Sequence, residues 1–473
     1  MTFIPKYIFI LATTITIDYF SGLGLERLQG RKRKWLLAAS ILSNIGMLAF
    51  FKYFNFANET LLSLAHFIGW NYPIKTLEII LPIGLSFHTF QSLSYTIEVY
   101  RGHQKAEHHY GYLATYVMFY PQLVAGPIER PQNILHQLHA EHKFEYQRVA
   151  DGLKWMAWGM FKKVVIADHM ALFVNPVFDA PGNFQGPALA LAILAFTIQI
   201  YCDFSGYSDI ALGSAQVMGI KLMKNFDHPY FSKSISEFWR RWHISLSTWF
   251  RDYVYIPLGG NRTSKARWAF NIFITFLISG LWHGADWTFV IWGALHGALI
   301  IFFELTKTAW QRFSQFNLLK WIPKLESGLS MILTFALISL TWVFFRASSL
   351  PDAIKIFKGL FFGWSVFVAE SSKMMYQGFA ETGASKIVSF LLAPFRIFEQ
   401  ISPEPRGTLL ITLFALLILV VIEIWQFRRN PIQDLKARPL PVRLLVYAFL
   451  VTMTLTLGTL YVSEQQAFIY FQF

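Results

Sequence analysis

Two histidines in the middle of the chain are set in surroundings where an ionisable group is unexpected. His243 lies in SISEFWRRWHISLSTWFRDYVYIPLGG, Ser234 to Gly260, and His283 follows about forty residues later in SGLWHGADWTFVIWGALHG, Ser279 to Gly297. A free imidazole titrates near pH ~6.5, so at neutral pH it can take a proton from a hydroxyl. At membrane depth such a group is costly and marks a functional position by default. Gly280 and Gly284 bracket Leu281, Trp282 and His283, which predicts a helix break or a close backbone approach that turns the ring toward a cavity. His296 is a second candidate in the same stretch, although packing accounts for it better. A third reactive group closes the chain: Tyr470 in AFIYFQF, where Phe468, Tyr470, Phe471 and Phe473 crowd the last six residues.

Other histidines read differently. His136, His139 and His142 in ILHQLHAEHK have a metal-like look, yet that spacing without cysteines or paired carboxylates fits a solvated helix face. His103, His108 and His109 lie in a polar loop. The single cysteine, Cys202, excludes an internal disulfide and a thiolate cluster. No metal site and no bound cofactor are expected.

The elements that must position these groups are membrane helices. The chain has 473 residues, 54% hydrophobic, 18% aromatic and only 15% charged, too apolar for an ordinary soluble protein. Apolar segments recur from Tyr7 to Val462, and their number predicts an all-α polytopic membrane protein with roughly ten to twelve membrane segments, the shorter ones re-entrant or interfacial. No repeat or long linker divides it, so residues 1–473 read as one domain with an aromatic tail, 463–473. The net charge of +13 sits in the connections, which is positive-inside bias rather than nucleic-acid binding. Arg27, Arg31, Lys32, Arg33 and Lys34 mark the first connection as cytoplasmic, and Arg428, Arg429, Lys436, Arg438 and Arg443 mark the last. Both termini are therefore expected outside.

Ser234 to Tyr253 has the pattern of one helix, with Ser234 or Ser236 as its cap and Pro257 and Gly259 ending it. Trp239, Trp242, Leu246, Trp249 and Tyr253 share a face, with Arg240, Arg241 and Arg251 mostly off it. The same pattern describes a basic amphipathic helix in the cytoplasmic interface.

The runs YCDFSGYSDIALGSAQVMGI, NFDHPYFSKSISEFWRRWHISLSTWFRDYVYIPLGGNR and SGLWHGADWTFVIWGALHG, with FYPQLVAGPIERPQN before them, closely resemble the membrane-bound O-acyltransferase family. The likeness is to its bacterial branch that acylates cell-envelope polymers, which includes alginate O-acetyltransferases and teichoic acid D-alanyl transfer proteins. The resemblance implies the family's fold, with His283 in the place of the essential histidine and His243 in that of the second. It also implies a location in the bacterial inner membrane and an acyl thioester donor, acetyl-CoA or an acyl carrier, on the cytoplasmic side. The acceptor would be a polysaccharide outside, reached through a soluble SGNH-type partner. From their charge and side alone, Arg240, Arg241 and Arg251 would meet the donor's phosphates at the cytoplasmic mouth, with Trp239 as a further donor-binding candidate.

The branch also carries short aromatic C-terminal motifs with a tyrosine, which makes Tyr470 a candidate acyl relay. A phenol, with pKa ~10, lies between a thiol at ~8.5 and ~15.7 for water, so an aryl ester would keep much of a thioester's transfer potential. An aromatic interfacial anchor is the other reading of the tail. Two further functions remain open on the residues alone: a proton-coupled transporter using intramembrane histidines, and the same acyl chemistry directed at a lipid or a protein. The chain shows one histidine centre and no internal symmetry, unlike many transporters.

Overall fold

The computed structural model describes residues 7–79, 82, 84–315, 323–365, 405–429, 431–460 and 468–469. Among them there is no strand. The helices are α1 (Ile8–Arg27), α2 (Gly30–Leu48), α3 (Phe54–Phe67), α4 (Leu85–Arg101), α5 (Tyr110–Val117), α6 (Pro131–His139), α7 (Tyr146–Met160), α8 (Asp168–Asp179), α9 (Pro187–Val217), α10 (Ile235–Arg241), α11 (Ile244–Phe250), α12 (Lys265–His283), α13 (Trp287–Gln315), α14 (Pro323–Arg346), α15 (Leu350–Phe362), α16 (Pro405–Arg428), α17 (Pro431–Lys436) and α18 (Leu440–Leu460).

Among the described residues seven helical stretches are long and apolar enough to cross a membrane: Ile8–Arg27, Gly30–Phe67, Pro187–Val217, Trp287–Thr308, Glu326–Arg346, Leu410–Arg428 and Leu440–Gly458. The remaining helices are shorter or more polar and fill the space between the spans, as α4 does with nearly every residue buried. Helix α4 starts at Leu85, directly after Gly84, which takes a left-handed conformation, φ 83°, open to glycine without penalty.

Helix α9 packs lengthwise on α7 while α1, α2 and α4 form a neighbouring group, and α12 and α13 make an antiparallel pair. Glycines set the closest approaches. A Cβ on Gly206 would lie 2.8 Å from the Gly159 carbonyl oxygen, and one on Gly280 would lie 2.3 Å from that of Phe289 and 3.0 Å from Gly293 Cα. This is the close approach that the glycines around His283 predict.

Three π-helical turns interrupt the described helices, at Ala49–Tyr53, Phe161–Ala167 and Arg251–Tyr255. Each carries cationic side chains: Lys52, Lys162 with Lys163, and Arg251. A π-turn inserts a residue into the helical register, re-aims the side chains around it and is frequent at functional sites. The basic connections gather at one end of the bundle. Arg33 at the start of α2 donates to the carbonyl of Tyr100 near the end of α4, Arg101 donates to that of Asp252, and Lys436 pairs with Asp151 near the start of α7 at 2.6 Å.

The single helix expected over Ser234 to Tyr253 is not observed. Ser234 does cap its start, accepting from the Glu237 N–H at 3.1 Å. The chain then breaks at Trp242, which is extended, and His243, which has φ 44°. The tryptophans of the expected interfacial face are all buried. Burial of three large rings outweighs continuity of one helix.

Candidate active site

His283 is the last residue of α12, and its ring sits in an aromatic box. Its centroid lies 4.8 Å from that of Trp282, 5.0 Å from Trp292 and 5.4 Å from Phe345, each edge-on. The helix ends here because Gly284 is extended and Asp286 accepts the Thr288 N–H at 2.7 Å, opening α13.

A helix end inside a membrane leaves main-chain carbonyls that need donors. Lys52 and Tyr53 supply them. Lys52 Nζ donates to the carbonyl oxygens of Trp282 at 2.6 Å and His283 at 2.9 Å, and Tyr53 Oη donates to that of Leu281 at 3.0 Å. Both residues come from the π-turn Ala49–Tyr53, more than two hundred positions earlier in the chain. Sequence reading passed over them because a lysine flanked by aromatics between two helices looks like an interfacial anchor.

His243 is fully buried and held through Asn225. The Asn225 carboxamide oxygen faces His243 Nδ1 at 3.1 Å and accepts from Ser245 N–H at 3.2 Å and Ser245 Oγ at 2.9 Å. An amide oxygen only accepts, so Nδ1 carries the proton and Nε2 is the acceptor nitrogen of the neutral ring. Phe204 meets the ring edge-on at 4.6 Å, while Phe87 lies stacked at 6.4 Å and itself meets Trp282 at 5.5 Å. Phe87 and Trp282 thus link the two histidines. Asn225 carried no signal of its own in the sequence.

His296 has both nitrogens engaged. Nδ1 accepts from Trp239 Nε1 at 3.2 Å, and Nε2 lies 3.0 Å from Thr341 Oγ1, whose own proton goes to the Ile338 carbonyl.

The four residues expected at the donor mouth separate. Trp239, Arg240 and Arg251 line one cavity of about 240 Å³ together with Ser247, Phe276 and Ser279. Arg240 and Arg251 are exposed, although Arg251 also reaches Asp252 at 2.8 Å. Arg241 faces elsewhere, paired with Glu237 at 2.8 Å and set over the Phe427 ring. The Trp239 ring lies 5.7 Å from that of Trp292, which also meets the His283 ring at 5.0 Å, so Trp292 links the cavity wall to the histidine.

Tyr470 lies outside the described residues, as does most of the tail. Among the described residues no group of three or more His, Cys, Asp and Glu side chains converges as metal ligands would. His136 contacts the Gln132 carbonyl, His139 contacts Glu107 and His142 contacts the Gln137 carbonyl, so the three rings do not converge.

A polytopic helical bundle with two buried histidines and a cavity lined by two arginines fits a membrane-embedded transferase. The family described as MBOAT, membrane-bound O-acyltransferase family, matches residues 103–345, and the chain belongs to it as a membrane-bound O-acyltransferase. It is 36% identical over 406 residues to the "Probable alginate O-acetylase AlgI" of Pseudomonas aeruginosa, covering 85% of this chain and 75% of that protein. It is likewise 36% identical over 385 residues to the peptidoglycan O-acetyltransferase of Helicobacter pylori, covering 75% of this chain and 70% of that one. With the teichoic acid D-alanyltransferase of Bacillus subtilis it shares 30% identity over 268 residues, or 54% of this chain and 65% of that protein.

Proposed function

We infer that the chain moves an acetyl group from a thioester donor on the cytoplasmic side to hydroxyls of a cell-envelope polysaccharide outside, through Tyr470 and a soluble SGNH-type partner. The similarity to proteins named for acetylation of alginate and peptidoglycan supports the acceptor class. The geometric support is the run of edge-on ring contacts from Trp239 through Trp292 to His283: a cavity lined by Trp239, Arg240 and Arg251 backs onto the aromatic box of the histidine. Arg240 and Arg251 would draw the phosphates of coenzyme A or a phosphopantetheine carrier. The basic end of the bundle is then cytoplasmic, in the inner membrane, and both termini lie outside.

In the first step the Tyr470 hydroxyl gives its proton to His283 while its oxygen attacks the thioester carbonyl. The carbon–sulfur bond breaks, and the proton passes from the imidazolium to the leaving thiolate. The resulting aryl ester is then attacked by a serine hydroxyl of the partner, which returns the proton to the phenol oxygen and passes the acetyl group to the polymer. His243, with Nε2 as acceptor, orients the donor.

The test is incubation of the purified protein in nanodiscs with labelled acetyl thioester and no partner. Label on a C-terminal peptide that depends on both His283 and Tyr470 supports the reading. Full polymer acetylation by Tyr470→Phe, which keeps the ring and removes the nucleophile, overturns the relay.

A further inference from the structure

Two adjacent lysines in the π-turn Phe161–Ala167 are paired by carboxylates of helix α9. Lys162 Nζ lies 2.6 Å from Asp209 and donates to Ser205 at 2.8 Å. Lys163 Nζ lies 2.6 Å from Asp203 and 2.9 Å from Asp168. The second arrangement is unbalanced, since one ammonium offers three protons to two carboxylates with four oxygens.

A further donor to Asp203 comes from the far end of the chain. The main-chain N–H of Ile469 donates to Asp203 Oδ2 at 2.9 Å, and Ile469 is only 2% exposed. The Phe468 ring lies with its centroid 4.7 Å from Lys163 Nζ and meets Tyr207 edge-on at 5.1 Å. Gly458, near the end of α18, also packs against Val164 of the same π-turn. The site is also close to the histidine centre, because Asp203 is followed in α9 by Phe204, whose ring meets His243 at 4.6 Å.

We propose that Lys163, Asp203 and Tyr207 form a docking site for the chain's own C-terminal segment, and that it holds the main chain at the residue before Tyr470 for presentation to the histidine pair. The role in catalysis rests on the relay reading above; the docking itself does not. The site recognises an aromatic ring followed by a main-chain N–H, through a cation over a ring face and a charge-assisted hydrogen bond. Residue 469 is therefore held by its main-chain N–H as well as by its buried side chain, and proline cannot supply that N–H. Lys163 and Asp203 act as positioning residues.

Hydrogen exchange of the C-terminal peptide and steady-state kinetics test this together. Asp203→Ala should speed exchange of the Ile469 amide at least tenfold. Because that change also takes a carboxylate from Lys163 and could disturb the bundle, Ile469→Pro provides the second variant: it removes the N–H donor from the tail and nothing from the helices. Ile469→Pro should lower kcat at least tenfold with donor KM within twofold and an unchanged melting temperature. Unaltered amide exchange in a folded Asp203→Ala protein overturns the docking site, and wild-type kcat in Ile469→Pro overturns its role in presenting the tail. Tyr470→Phe separates the two readings, since full activity there defeats the relay while protection of the Ile469 amide still reports the docking site.

Discussion

Lys52 Nζ lies 2.9 Å from the carbonyl oxygen of His283, joining a π-turn near the N-terminus to the residue with which α12 ends. The same ammonium holds the Trp282 carbonyl, so two consecutive peptide units on either side of the His283 Cα are fixed by one side chain. Lys52→Met keeps the stem and removes the donor. A net loss of about 1 kcal/mol for each hydrogen bond should lower the melting temperature by only a few degrees. Misplacing a base costs more in rate than in stability, so kcat should fall about tenfold or more. Lys52→Arg should recover part of it. Thermal melts and turnover measured on the same purified samples check both expectations.

Removing the imidazole itself should be far more damaging. His283→Ala is expected to lower turnover by about a hundred- to ten-thousand-fold, the usual worth of a general base, while the protein remains inserted at normal abundance. Polymer acetylation assayed in cells alongside membrane quantification is the measurement. Near-normal acetylation at normal abundance would remove His283 from the chemical step.

His243 combines a side-chain role with an unusual backbone. At φ 44° a residue with a Cβ is strained where glycine is not. His243→Gly should therefore be more stable than His243→Ala by about 1 kcal/mol, although both lack the ring. In both, apparent donor affinity should weaken more than the maximal rate. Chemical denaturation compared with donor titration separates the two effects; an intact affinity with a collapsed rate would place His243 in the chemistry.

Arginine position distinguishes donor attraction from structure. Reversing charge at Arg240 and Arg251, which line the cavity, should raise donor KM with a defect that depends on salt. Reversal at Arg241, paired with Glu237, should leave donor KM near the wild-type value, since a partly exposed pair is worth about 0–1 kcal/mol. Equal effects of Arg240→Glu and Arg241→Glu on donor KM would refute the assignment.

Gly280 is a packing residue for the site. An alanine there would press against the Phe289 carbonyl and Gly293, and overpacking of this kind costs about 1–3 kcal/mol. Gly280→Ala should reduce both thermal stability and turnover, in contrast to Lys52→Met, in which turnover falls with little loss of stability. Melting temperature and kcat for the two variants, side by side, decide it.

The amino-acid sequence alone determined the class of molecule. Its apolar segments are long enough to span, its basic connections are distributed unevenly, and His243 and His283 stand in apolar settings that demand a reason. Periodicity and composition are local properties, so they are legible one segment at a time. The glycines around His283 likewise announced a close approach without naming the opposing chain.

Tertiary structure decided what local patterns cannot carry. The helical spacing of Trp239, Trp242 and Trp249 predicted one amphipathic helix, but burial of each indole against a different partner broke it at His243 and turned Arg241 away from Arg240. Lys52, Asn225 and Asp203 act on atoms far along the chain, at the end of α12, at His243 and at Ile469. Such contacts arise because a buried carbonyl, imidazole or carboxylate must be satisfied by whatever donor or acceptor folding brings beside it. Nothing in the spacing of these residues records which partner that will be.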